Sequence, residues 1–302
     1  SGPSSVDTVI DIVTTTGTAG TSDYTTTTTQ VTIPAGSLSV NVVIPITDDL
    51  LDEPNETFTV DGTLVSGTID ATNSDFQGEV TIVDNDGTPT VTIGDVTVNE
   101  GDGTVSVPVT LSGPSSVDTV IDIVTTTGTA GTSDYTTTTT QVTIPAGSLS
   151  VNVVIPITDD LLDEPNETFT VDGTLVSGTI DATNSDFQGE VTIVDNDGTP
   201  TVTIGDVTVN EGDGTVSVPV TLSGPSSVDT VIDIVTTTGT AGTSDYTTTT
   251  TQVTIPAGSL SVNVVIPITD DLLDEPNETF TVDGTLVSGT IDATNSDFQG
   301  EV

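Results

Sequence analysis

Three observations predict an all-β chain of tandem immunoglobulin-like antiparallel β-sandwich domains, about seven strands each, arranged as beads on a string. Apolar and polar residues alternate over stretch after stretch, the period-two mark of strands with one buried face. No stretch spaces its apolar residues at helical intervals. The sequence also repeats: residues 1–111 and 112–222 are identical, and 223–302 repeats the first 80 residues. A period of 111 residues suits an independently folding domain of ~100–150 residues better than a solenoid repeat of ~20–50. The expected units are 1–86, 88–197 and 199–302. The first is short at its N-terminal end and the third at its C-terminal end, so the chain reads as a window on a longer array.

The middle repeat is complete, and its elements follow in order. Thr90–Ile93 and Val96–Val98 form a first strand interrupted at Gly94-Asp95. Asn99-Glu100-Gly101-Asp102-Gly103 is a turn, because Gly supplies the positive φ that tight turns need. Thr104–Leu111 alternates cleanly, with Val105, Val107, Val109 and Leu111 on one face. Ser112-Gly113-Pro114-Ser115-Ser116 breaks the chain before a third strand, Val117–Thr125, with Ile121 and Ile123 inward. A loop, Gly128–Asp134, leads into a fourth strand, Tyr135–Ile144, which Pro145-Ala146-Gly147 turns. The fifth strand sets Leu149, Val151, Val153, Ile155 and Ile157 on its core face. Thr158–Glu167 carries five carboxylates in ten residues, and copies of it stand at 47–56 and 269–278. Phe169 and Val171 begin a sixth strand, and Ser177–Gly189 loops to a seventh, Val191–Val194. Asp195–Pro200 joins this unit to the next.

Asp and Glu number 46, while Lys, Arg and His are absent, for a net charge of −46. Binding nucleic acid depends on basic residues neutralising phosphates, so that class of partner is excluded, and an anionic membrane surface is disfavoured for the same reason. No apolar run in this window could insert directly into a membrane. No Cys is present, so disulfides cannot staple the fold. Without His, Cys or Lys, most nucleophile–base pairings are impossible and an enzyme is not expected.

If successive strands run antiparallel, the first, third, fifth and seventh strands end at one pole. Those ends carry Glu100, then Asp134, then Asp159, Asp160, Asp163 and Glu164, then Asp195 and Asp197. The same positions in the flanking repeats are Asp23, Asp48, Asp49, Glu53, Asp84 and Asp86, and Glu211, Asp245, Asp270, Asp271 and Glu275. This is also the pole where the next unit attaches. Two carboxylates ~5 Å apart repel by roughly 3 kcal/mol at an effective dielectric near 20. Six converging acids would consume most of the ~5–15 kcal/mol that stabilises a domain. Either the loops splay into solvent or a cation from outside sits among them. Oxygen ligands without His or Cys select Ca²⁺ over zinc or copper, and Mg²⁺ keeps its waters too firmly for an all-protein cage. Asp118, Asp122 and Asp172 lie within strands and read as a solvated face. Asp292 and Asp297, in the last loop of the third unit, are candidates for ligation across a joint.

The segments Val98–Gly103, Gly128-Thr129-Ala130-Gly131-Thr132-Ser133-Asp134-Tyr135, Ile144–Gly147, Asp159–Phe169 and Val191–Asp197 resemble, in order, the Calx-β domain. The resemblance implies a Ca²⁺-binding β-sandwich of the kind found in sodium–calcium exchangers and, in long tandem arrays, in bacterial surface proteins. It carries metal-ligand roles onto Glu100, Asp134, Asp159, Asp160, Glu164, Asp195 and Asp197. Asn196 stands where some members have a third successive acid, which bears on the number of ions.

Identical copies set length, stiffness and valency. The expectation is a structural Ca²⁺-binding array of a secreted or cell-surface fibrous, adhesin-like protein, with Ca²⁺ rigidifying the joints. Its partners are the neighbouring identical repeats, with lateral or end-to-end self-association into filaments. Two other readings stand beside it: a regulatory Ca²⁺-sensing module, and a carbohydrate- or ice-binding surface on the Thr-rich strand Thr136–Thr140.

Overall fold

A computed structural model describes residues 2–271 and 273–302. The first unit is one four-stranded sheet of β1 (Thr8–Thr16), β2 (Thr28–Ile33), β3 (Glu56–Ser66) and β4 (Gln77–Ile82), in the order β2-β1-β3-β4. The middle unit has eight strands: β5 (Val91–Ile93), β6 (Val96–Asn99), β7 (Thr104–Leu111), β8 (Thr119–Thr127), β9 (Thr139–Ile144), β10 (Ser150–Pro156), β11 (Glu167–Ser177) and β12 (Gln188–Val194). They form a three-stranded sheet β10-β7-β5 facing a five-stranded sheet β6-β12-β11-β8-β9. In the third unit, β13 (Val202–Ile204), β14 (Thr215–Leu222) and β17 (Ser261–Pro267) form one sheet. Its second sheet comprises β15 (Thr230–Thr238), β16 (Thr250–Ile255), β18 (Phe280–Ser288) and β19 (Gln299–Glu301).

The core of the middle unit lies between its two sheets. Val105, Val107, Val109, Val153 and Ile155 from one sheet meet Ile121, Ile123, Phe169, Val171 and Val191 from the other, all buried. Strand directions alternate as the parity argument requires: β7 runs antiparallel to β5 and β10, and β11 antiparallel to β8 and β12. Among the described residues the only helical turns are two 3-10 turns, Glu100–Asp102 and Glu211–Asp213.

Two details correct the sequence reading. The first strand is not one interrupted strand but two strands in different sheets. β5 pairs antiparallel with β7, and β6 pairs parallel with β12. The chain crosses between layers at Gly94-Asp95, where a Cβ on Gly189 would lie 2.6 Å from the Gly94 carbonyl oxygen, so the crossing needs glycine in the facing strand. The second correction is Leu149, expected on the core face of the fifth strand but 52% exposed. β10 starts one residue later and takes its core face from Val153 and Ile155.

Neighbouring copies of one sequence also differ. Residues 39–45 repeat the sequence of β10 yet form no strand. Ile46 is accordingly 50% exposed, where its counterpart Ile157 is 6% exposed.

Candidate metal centre

The acidic pole of the middle unit is built by backbone pins at the loop bases. Thr158, which opens the acid-rich loop, donates its N–H to the Asp134 carbonyl at 2.8 Å, and Ile157 donates to the Gly103 carbonyl at 3.0 Å. The Gly131 N–H donates to Asp134 Oδ2 at 2.5 Å, curling the Gly128–Asp134 loop around its own carboxylate. Below it, Tyr135 stacks on Phe169 with ring centroids 3.9 Å apart. Asp134 precedes one ring and Glu167 lies two residues before the other, so the stack carries both carboxylates to one point.

Three overlapping trios result, each with one ligand oxygen per residue and all such oxygens within 4.8 Å: Glu100, Asp195 and Asp197; Glu100, Asp160 and Glu164; Asp134, Glu164 and Glu167. Four loops and the start of β11 contribute. The Asp160 N–H reaches Glu100 Oε1 at 3.3 Å, and Asp159 Oδ1 lies against the 3-10 turn at Gly101. Glu100 and Asp134 are buried, at 3% and 7% exposure. Burial, then the charges of Asp160, Asp195 and Glu164, push the Glu100 carboxyl up to about 7. Burial, then the bond to and charge of Asp134, do the same for Glu167, also to about 7. Glu164 and Asp197 are raised too, by burial first and then by the surrounding acids.

The flanking units hold partial copies. In the first, Asp23, Glu53 and Glu56 form a trio, and Asp48, Asp49, Asp84 and Asp86 line the same cleft. In the third, Asp245, Glu275 and Glu278 form a trio. Asp270 and Glu211 line an open cavity beside it, and Asp271 and Glu211 raise the Glu275 carboxyl after burial does. Glu211 is exposed where Glu100 is buried.

The sequence analysis missed Glu167 and its copies Glu56 and Glu278. Glu167 and Glu56 open β11 and β3 rather than sitting in a loop, Glu278 lies two residues before β18, and nearness in sequence to Glu164, Glu53 and Glu275 is the available signal. Asp292 and Asp297, the candidates for ligation across a joint, make bonds within their own loop, Asp292 accepting from Thr294 and Asn295 and Asp297 from Gln299. Asp122 and Asp172 do more than face solvent. Asp172 accepts from Thr126, Thr170 and Gln188 across three strands, and Asp122 from Gln141.

The remaining acid of the loop, Asp163, stands at the joint. Its N–H donates to the Pro225 carbonyl of the next unit at 3.2 Å. Its carbonyl accepts from the Ser227 N–H at 3.1 Å and the Ser227 hydroxyl at 3.0 Å. The preceding joint repeats this with Asp52, Pro114 and Ser116 at 3.2, 3.1 and 2.9 Å. Asp163 Oδ2 and Asp197 Oδ2 are buried without a hydrogen-bond partner among the described residues. Buried carboxylate oxygens without donors, in a donor set of oxygen alone, fit a hard divalent cation.

The Calx-beta domain model matches three times, over residues 3–86, 83–197 and 194–289. No curated protein matches the sequence. Among solved structures, CBD12 from CALX1.2 is 19% identical, with 66% of this chain and 83% of that chain covered and a TM-score of 0.32. The apo-form Calx CBD1 domain is 23% identical, with 37% of this chain and all 100% of that chain covered and a TM-score of 0.34. A two-domain protein of unknown function from Bacteroides fragilis is 9% identical, with 72% and 89% covered and a TM-score of 0.26. Matched nearly end to end by three successive copies, the chain belongs to the Calx-beta domain family.

Proposed function

We propose that this chain is a structural, non-catalytic Ca²⁺-binding array, in which ions at the acidic poles stiffen the joints of an extracellular fibrous or adhesin-like protein. The observation that carries this reading is the convergence of Glu100, Asp134, Asp160, Glu164, Glu167, Asp195 and Asp197 in a chain with no basic side chain. When bound, the ion supplies the positive charge that the chain lacks. Glu100 would lie at the centre of the set, shared by two trios, and Asp195 and Asp197 would bring the connection to the next unit into the coordination. Extracellular modules work with Ca²⁺ dissociation constants of ~10⁻⁴–10⁻³ M, which suits millimolar Ca²⁺ outside cells. The identity of the copies favours a spacer over a sensor, because a sensor gains nothing from repeating one unit without change.

Calorimetric titration of the chain with Ca²⁺, with thermal melts in Ca²⁺ and in chelator, tests the reading. Each ion should add about 2.7 kcal/mol at a concentration a hundredfold above its dissociation constant. X-ray scattering should show a longer, stiffer particle in Ca²⁺. Absence of heat and of any melting shift would leave the pole as solvated surface and reject the proposal.

A further inference from the structure

The acids of the middle unit are unevenly placed. Its five-stranded sheet bears Asp122, Glu167, Asp172 and Glu190, whereas β5, β7 and β10, the whole of the three-stranded sheet, bear none. No acid stands between Asp134 and Asp159, the longest such interval in the repeat, and the hairpin of β9 and β10 lies within it. Asp118 touches that hairpin only at its turn, where it accepts the Ala146 N–H at 2.8 Å. On the outer face of the three-stranded sheet Thr92, Ser106, Asn152 and Val154 are exposed and uncharged.

β10 is also an open edge. It pairs with β7 on one side only, in unbroken register from Ser150 to Pro156. The Leu149 carbonyl accepts from the Leu111 N–H at 2.8 Å, and the Ile157 N–H donates to the Gly103 carbonyl at 3.0 Å. Odd-numbered residues therefore direct their peptide groups at β7. Those of Ser150, Asn152 and Val154 point the other way, where no strand meets them among the described residues. Pro156 closes the far end, its carbonyl accepting the Thr136 N–H at 3.0 Å. Sheet edges are commonly blunted by charge, a bulge or an internal Pro, and Ser150–Ile155 has none of these. β17 repeats the strand, its burial pattern and its central Asn263.

We infer that β10 is a self-pairing edge: a second copy of this chain lays its own β10 antiparallel against it, about a two-fold axis at Asn152. Asn152 then faces its own counterpart and Ser150 faces the counterpart of Val154, so the open N–H and C=O groups of both strands pair. Charge selects this occupant. A basic partner would be drawn to the acids elsewhere, and only a partner that is itself acidic needs a contact free of acids. The chain, at −46 without one basic residue, meets that need and supplies the strand. The inference deepens the fibrous reading by giving the array a sideways contact. It requires no metal, so its test runs in chelator and the two readings fail separately.

The whole chain is followed by sedimentation. Raising NaCl from ~0.01 M to ~1 M shortens the screening length from ~30 Å to ~3 Å and should turn monomers into dimers and larger species. Asn152→Asp with Asn263→Asp sets like charges face to face and should weaken association at least about tenfold. Thr97→Asp with Thr208→Asp, which adds the same charge at exposed positions away from β10 and β17, should not. Because no Cys is present, single-Cys variants report the register. In oxidised glutathione Asn152→Cys should form a disulfide dimer, since facing Cα atoms of a hydrogen-bonded pair lie ~5.5 Å apart, within disulfide reach. Ser150→Cys alone should not cross-link, but should do so when mixed with Val154→Cys. A chain that stays monomeric at high salt overturns the inference. So does association that the Asn152→Asp and Asn263→Asp pair leaves unchanged, or Ser150→Cys cross-linking alone as fast as Asn152→Cys. A monomer that retains dextran through Asn152 would give the edge to sugar and overturn it as well.

Discussion

Tyr135 and Phe169 stack nearly parallel, with an interplanar angle of 9°, and so join the loop that bears Asp134 to the strand that bears Glu167. The same pair recurs as Tyr24 with Phe58 and Tyr246 with Phe280. The hydrophobic core thus ends directly beneath the carboxylates, and its packing fixes their spacing. Phe169→Ala should destabilise the middle unit by about 3–5 kcal/mol, the usual cost of truncating a buried Phe. It should also weaken Ca²⁺ binding in that unit alone. Denaturant unfolding followed in parallel with calorimetry would show both effects.

Glu100→Gln should move stability in opposite directions with and without metal. Replacing one charge of the crowded pole with a neutral amide should stabilise the chelated protein by about 1–3 kcal/mol, the scale of one close carboxylate repulsion at an effective dielectric near 20. With Ca²⁺ present, the same change should cost at least about tenfold in affinity, near 1.4 kcal/mol. Melts of both proteins in Ca²⁺ and in chelator give the four values required.

The pH dependence in chelator has a definite sign. Glu100 and Glu167 rise from 4.5 to about 7 on folding, so the native state holds protons that the unfolded chain has released. Stability from this source is full below pH 4.5 and is lost as pH rises through about 7. Melting temperature in chelator should therefore fall between those limits. Saturating Ca²⁺ should suppress the fall, because the ligands must be ionised to bind and Ca²⁺ uptake near pH 6 should release protons.

A fourth prediction concerns Gly128, where a Cβ would collide with the Thr168 carbonyl oxygen. That carbonyl accepts the Ala130 N–H at 2.9 Å, and Thr168 in turn donates to Thr129 Oγ1 at 2.8 Å. Gly128→Ala should part the Gly128–Asp134 loop from β11 and destabilise the unit by about 1–3 kcal/mol. Gly113→Ala, which meets nothing within 4 Å, should be nearly silent in the same melt.

Much of this architecture is legible in the residues. Alternation alone places Val105, Val107, Val109, Ile121 and Ile123 in the core, and strand parity alone brings Glu100 to the ends that carry Asp160 and Asp195. What stays hidden depends on pairing and backbone contacts. The apolar phase reads the same on either side of Gly94, so nothing in the pattern announces that β5 and β6 part to different sheets. Glu167 looks like a strand residue because it is one, and only the Tyr135–Phe169 stack turns it into the pole. The Ser-Gly-Pro-Ser-Ser loop has neither charge nor apolar bulk. It docks through backbone carbonyl and amide groups that every sequence possesses and one serine hydroxyl, so composition could not mark it as a joint.

The two joints use matching bonds at nearly matching lengths, Asp52 on Pro114 and Ser116 and Asp163 on Pro225 and Ser227. The same few bonds therefore join each unit to the next, and an array repeats whatever they set at every joint. A change at that aspartate or its serine would be multiplied along the whole thread.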